Sequence, residues 1–122
     1  MTMARGAEAA AGERRYHARL EVYAPLFLVF RHADHDGLPC LVRNLSPRGV
    51  MLEFSPLARP TGAEVGEECV LEPAPGQPAG LFASLRGSVA WKAGCHLGVE
   101  ASEPLAGDTE ELSAWLRGNG LC

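Results

Sequence analysis

The sequence predicts an all-β fold in which six strands close into a barrel and one short helix is attached at the C-terminal side. Three observations carry this expectation. Short β-rich apolar segments follow one another along most of the chain, each bounded by clusters of Gly, Pro, Asn, Asp or Ser. Several of them alternate apolar and polar residues, the period of a half-buried strand. The period changes once, after residue 108, to the i, i+3, i+4 spacing of an amphipathic helix. With 122 residues there is room for one domain, at roughly 100–200 residues each.

Residues 1–12 contain Ala, Gly and Glu without a period tied to a core, and are expected to form a flexible leader. The folded domain is expected over 13–118, with 119–122 as a tail. A long first strand starts near Leu20 and runs to Phe30, bent at Pro25, and ends in the turn composition of residues 32–37. A second strand covers Leu38 to Leu45, and Asn44-Leu45-Ser46-Pro47-Arg48-Gly49 is dense in turn formers. The third strand is Val50 to Phe54, followed by a Pro- and Gly-rich connection over 55–66, and the fourth is Glu68 to Leu71. From Leu81 to Trp91 apolar residues alternate in two parts, with Gly87 between them predicting a bulge or kink there. A turn at Lys92-Ala93-Gly94 returns the chain into a closing strand, Cys95 to Ala101. Asp108 or Thr109 caps the helix, Glu110 and Glu111 fall in its first turn, Leu112, Trp115 and Leu116 form its apolar stripe, and Gly118 lies just past its end.

Composition removes several classes of function. The longest apolar run, Ala24 to Phe30, is far short of the roughly 20 residues of a membrane-spanning helix, and no apolar core of an export signal follows Met1. The expected location is therefore the cytoplasm, without membrane insertion. A net charge of −4 and 7% aromatic residues argue against a nucleic-acid-binding groove. The charge is uneven: residues 1–20 hold four Arg against two Glu, and residues 98–122 hold one Arg against five acidic residues.

Cys40, Cys69, Cys95 and Cys122 lack the paired spacing of a zinc site. The first three sit among apolar residues as small buried hydrophobes, and Cys122 is expected to be exposed. His32, Asp34, His35 and Asp36 read as a solvated hairpin loop rather than a metal cluster. Trp91 and Trp115 read as packing between barrel and helix. Ser46, Ser84, Ser88 and Ser113 have no triad setting, so no catalysis is expected.

Two clusters remain. Arg14, Arg15 and Arg19 stand where the leader meets the first strand, and guanidinium groups pair with phosphates bidentately and stack on base faces. Asn44 and Ser46 offer side-chain donors and acceptors two residues apart, and Gly49 permits close backbone approach. Taken singly, each reads as a solvated charge run or a turn. Taken together, Arg15-x-x-x-Arg19 followed by Asn44-x-Ser46-x-x-Gly49 resembles the PilZ domain family, whose signature is R-x-x-x-R and then D/N-x-S-x-x-G. Glu13-Arg14-Arg15, Val50-Met51-Leu52, Val89-Ala90-Trp91 and His96-Leu97-Gly98-Val99-Glu100 are also similar to the family's pattern, so the resemblance spans about Glu13 to Gly118.

The resemblance implies a six-stranded antiparallel β-barrel with a C-terminal helix, and a non-enzymatic cytoplasmic receptor for cyclic di-GMP. It implies that Arg15 and Arg19 grip phosphates and lie against guanines, that Asn44 and Ser46 read a guanine edge, and that Gly49 lets the backbone approach. Arg14 stands where family members that hold an intercalated pair of ligand molecules carry a further Arg. Tyr16 and Ala18 fill variable positions, and Arg48, inside the second motif, is expected to face water. Ordering of the arginine segment by the ligand is the expected switch, read by a protein partner in trans. The alternative is an adaptor of the same fold that acts by protein–protein contact without the nucleotide.

Overall fold

The structure, a computed structural model, describes residues 19–33, 37–60, 62–77 and 84–121. Its elements are β1 (Leu20–Glu21), β2 (Phe27–His32), β3 (Leu38–Ser46), β4 (Gly49–Glu53), β5 (Glu68–Pro73), β6 (Leu85–Ala93), β7 (His96–Ala101) and α1 (Thr109–Gly118). Neighbouring strands pair antiparallel in the order β3, β2, β5, β6, β7, β4, and β4 pairs back to β3. Six strands thus close a barrel, and β1 is an extra strand against β3. The expected fold class is the observed one.

The long first strand is present in two pieces. Leu20 and Glu21 pair with Leu45 and Asn44, whereas Phe27 to Phe30 pair with Leu41 to Leu38 on the same side of β3. The residues between them, including Pro25, break the ladder, since proline has no N–H to donate. Val22 N still donates to Arg43 O at 3.1 Å and Val42 N to Leu26 O at 2.9 Å, so the bend stays fastened to β3.

Alternation builds the core. Leu28 and Phe30 of β2, Cys40, Val42 and Leu45 of β3, Val50 and Leu52 of β4, Leu71 of β5 and Val99 of β7 point inward and are buried. Burying each large aliphatic side chain stabilises the fold by about 1.5–3 kcal/mol. Phe30 meets Phe54 edge-on at 5.5 Å. Leu112 and Leu116 of α1 join the same cluster, with Leu105 and Leu121 on either side of the helix.

Asp108 caps α1, its side chain accepting from Glu111 N at 2.8 Å. The end differs from expectation: Gly118 is still helical, and Gly120, at φ +69°, makes the left-handed turn. Gly120 N donates to Arg117 O at 3.1 Å and Leu121 N to Leu116 O at 2.8 Å, which satisfies carbonyls the helix leaves open. Leu121 O then accepts from Tyr23 N at 3.1 Å, tying the helix end to the bend after β1.

Two further expectations change. His32 is the last residue of β2 rather than part of an exposed loop. It is buried, with its ring 5.6 Å from that of Phe30 and its Nδ1 3.7 Å from Glu67 Oε1. Asp34, His35 and Asp36 lie outside the described residues. The irregularity of β6 falls at Ala90, not Gly87: Gly87, Ser88 and Val89 pair regularly with Ala101, Glu100 and Val99, and the register slips before Trp91. Residues 81–83, the expected start of that strand, lie outside the described residues.

Candidate functional site

Strand β3 carries the second motif, and a bulge decides where its side chains go. Val42 pairs with Leu52, but Asn44, not Arg43, pairs with Met51. Because side chains alternate, one unpaired residue flips every following one. Val42 and Leu45 are therefore both inward, and Asn44 and Ser46 alternate onto the other face, where Asn44 is half-buried and Ser46 is buried, 6% exposed. A regular strand would have sent Asn44 into the core.

The hairpin after Ser46 has the two-residue loop Pro47-Arg48, and Ser46 pairs with Gly49 across it. The loop is held from outside the hairpin. Ala101 N donates to Arg48 O at 2.8 Å and Leu105 N to Pro47 O at 2.6 Å. At Gly49 a Cβ would stand 2.8 Å from Val99 O, closer than real side chains come, so β4 can reach β7 here only as glycine. Arg48 is exposed, as expected.

Arg19 reaches the same wall from the start of β1. Its Nη1 donates to Asn44 Oδ1 at 3.2 Å. The other end of the carboxamide, Nδ2, donates to Met51 Sδ at 3.1 Å. One guanidinium and one carboxamide thus share a surface, with the buried hydroxyl of Ser46 farther along the same face of β3 and Gly49, which adds no side chain, opposite it. These groups offer a fixed positive donor, a hydrogen-bonding amide and a small donor and acceptor, which suits an anionic, polar ligand. Of the six predicted site residues the fold brings together Arg19, Asn44, Ser46 and Gly49. Arg14 and Arg15 lie outside the described residues.

The expectation for Trp91 is corrected. Val89 and Trp91 are two apart and would share the inner face of a regular strand, but the bulge at Ala90 sets Trp91 opposite Gly98 and turns it outward. It is 36% exposed, and its indole covers Gly98, where a Cβ would collide with the ring. Register then runs across the outer wall from Glu21 through Asn44, Met51 and Gly98 to Trp91. At about 4.8 Å per strand, Asn44 and Trp91 bound a strip of roughly 14 Å. The sequence signal for this aromatic was present in Val89-Ala90-Trp91, but period alone assigned it to the core. Trp115, by contrast, packs against the core from the helix as expected.

A groove of about 600 Å³ lies on the opposite wall, over β2, β5 and β6. Its floor includes Arg31, Val70 and Arg86, which are in register, with Glu68 and Glu72 beside them. Arg31 Nε is 3.0 Å from Glu72 Oε1. No predicted site residue lines it.

Cys40 and Cys69 are buried and free, and burial pushes their thiols up, from 9.0 to about 12 and about 11. Both are poor nucleophiles at neutral pH. Cys95 is only half-buried, at the β6–β7 turn, and Cys122 lies outside the described residues. Among the described residues no helix is long and apolar enough to cross a membrane.

No family model matches the sequence, and no curated protein matches it at a significant level.

Proposed function

We propose that the protein is a cytoplasmic, non-enzymatic receptor of the PilZ type that binds cyclic di-GMP on the outer wall of its barrel. The observation that carries this reading is the Arg19 Nη1 to Asn44 Oδ1 hydrogen bond of 3.2 Å, which joins the last residue of one motif to the first of the other. Residues 25 apart in sequence are brought together on a strip where Ser46 and Gly49 complete the second motif.

A cyclic dinucleotide has two phosphates and two purines. Arg19 can pair with a phosphate oxygen and present its flat face to a base. Asn44 and Ser46 can hydrogen-bond a guanine edge, and Trp91 offers an aromatic face farther along the strip. Arg14 and Arg15 complete the reading: Arg15 as the second phosphate grip, Arg14 as the residue that permits a stacked pair of ligand molecules. Binding orders the arginine segment, and a protein partner reads the ordered form.

The test is mutational. Arg15→Ala and Asn44→Ala are expected to abolish cyclic di-GMP binding in calorimetry while circular dichroism and the thermal transition stay near wild type. Unchanged affinity in either variant refutes the assignment of the site.

A further inference from the structure

We propose that Met51 fixes which end of the Asn44 carboxamide faces a ligand, and thereby selects a guanine over an adenine base. The base selection rests on the receptor reading above; the orientation does not.

An asparagine can present either an acceptor or a donor, because its carboxamide can turn over. Two neighbours remove that freedom. A thioether can only accept, and Met51 Sδ lies 3.1 Å from Asn44 Nδ2. A guanidinium can only donate, and Arg19 Nη1 lies 3.2 Å from Asn44 Oδ1. The turned-over amide would set two donors against each other at Arg19 and an oxygen against a sulfur at Met51.

Met51 is held in place by register. It stands directly opposite Asn44 on one side and Gly98 on the other, and the indole of Trp91 lies over Gly98. The bulge at Arg43 creates the Asn44–Met51 pair, since a regular ladder would have put Arg43 there. Arg19 is exposed and precedes β1, whereas Met51 lies half-buried within β4, so the thioether is the steadier of the two constraints.

The consequence is chemical. With Nδ2 turned to sulfur, Oδ1 is the atom left to meet a ligand, and its second lone pair accepts. Guanine offers donors along its pairing edge, at N1–H and the N2 amine. Adenine has an acceptor at N1, which would face the oxygen unfavourably. Met51 is thus a positioning residue for selectivity.

Titrating wild type, Met51→Leu, Asn44→Asp and the double variant with cyclic di-GMP and cyclic di-AMP tests this. Met51→Leu keeps the volume and removes the acceptor. In the Asn44 background it is expected to lower the preference for the guanine ligand about five- to tenfold. In the Asn44→Asp background, where both side-chain atoms are oxygens, it should change the preference less than about twofold, since no amide is left to orient. Equal losses in both backgrounds overturn the proposal, because Met51 would then act through packing.

A second readout needs no nucleotide. The side-chain amide resonances of Asn44 should shift in Met51→Leu, and their staying in place overturns the orientation. If they shift while wild type binds neither cyclic dinucleotide, the receptor reading and the base selection fall, and the orientation stands.

Discussion

Asn44 and Trp91 stand on the same outer strip of the barrel, and each is there because it follows the unpaired residue of a β-bulge. Arg43 is skipped between Val42 and Asn44, and Ala90 between Val89 and Trp91. Both slips act on one row of the sheet, Asn44–Met51–Gly98–Trp91, so they assemble an amide and an indole at its two ends. Without them both side chains would point into the core.

Trp91→Ala is therefore expected to cost binding more than stability. Base stacking on an exposed aromatic contributes about 1–3 kcal/mol, so cyclic di-GMP affinity should fall roughly ten- to a hundredfold. Loss of the cross-strand contact over Gly98 should lower stability by only about 1 kcal/mol. Calorimetry and urea unfolding of the same preparation separate the two; a large stability loss with unchanged affinity would return Trp91 to a structural role.

Gly98→Ala tests the geometry of the strip itself. The added methyl would occupy the place of the indole ring, so the ring must leave. The expected result is a loss of about 1–3 kcal/mol together with a red-shifted, more quenchable Trp91 fluorescence, read in a Trp115→Phe background. A fluorescence spectrum identical to wild type contradicts the placement.

How much of this was legible in the residues depends on period. Where the strand is regular, as in Leu28-Val29-Phe30 or Val50-Met51-Leu52, the strands fall where the sequence places them, and alternation buries the first and third residue of each triplet. A bulge has no period of its own. Gly87 drew the expected irregularity because glycine marks many bulges, yet it pairs regularly with Ala101, and the slip occurs at an alanine that nothing in the sequence distinguishes. The helix shows the same limit: Asp108 announces its start, but of two nearby glycines only Gly120 adopts the left-handed turn, and the burial of Leu121 decides which. The approach of Arg19 to Asn44 was legible only through the family resemblance, since their contact depends on β1 pairing with the far half of β3.

The buried thiols predict an alkaline limit. Cys40 and Cys69 have folded-state values of about 12 and about 11, raised by burial above the ordinary 9.0. A raised value means that the folded state holds its protons longer than the unfolded state does. Their contribution is complete below pH 9 and is lost as pH rises towards 11–12. The urea midpoint should fall steadily above pH 9, and the fall should be shallower in Cys40→Ala/Cys69→Ala. An equal slope in that variant assigns the alkaline loss to other groups.

Arg19→Ala removes a charged donor from the site and nothing from the core. Its affinity for cyclic di-GMP should drop about ten- to a hundredfold, with a flatter dependence on salt than wild type, and its thermal transition should stay within the spread of surface substitutions. Arg48→Ala, on the exposed hairpin turn, serves as the charge-matched control and should leave affinity nearly unchanged.

The central claim is that the outer strip bearing Arg19, Asn44 and Ser46 is a cyclic di-GMP site, and calorimetric titration of the reduced wild-type protein tests it most directly, with GTP and cyclic di-AMP as controls. The account predicts selective, saturable binding of cyclic di-GMP with a stoichiometry near two per chain. Saturation at one per chain removes the stacked pair and the role given to Arg14. No binding by protein shown to be folded contradicts the receptor reading itself and leaves the adaptor in its place.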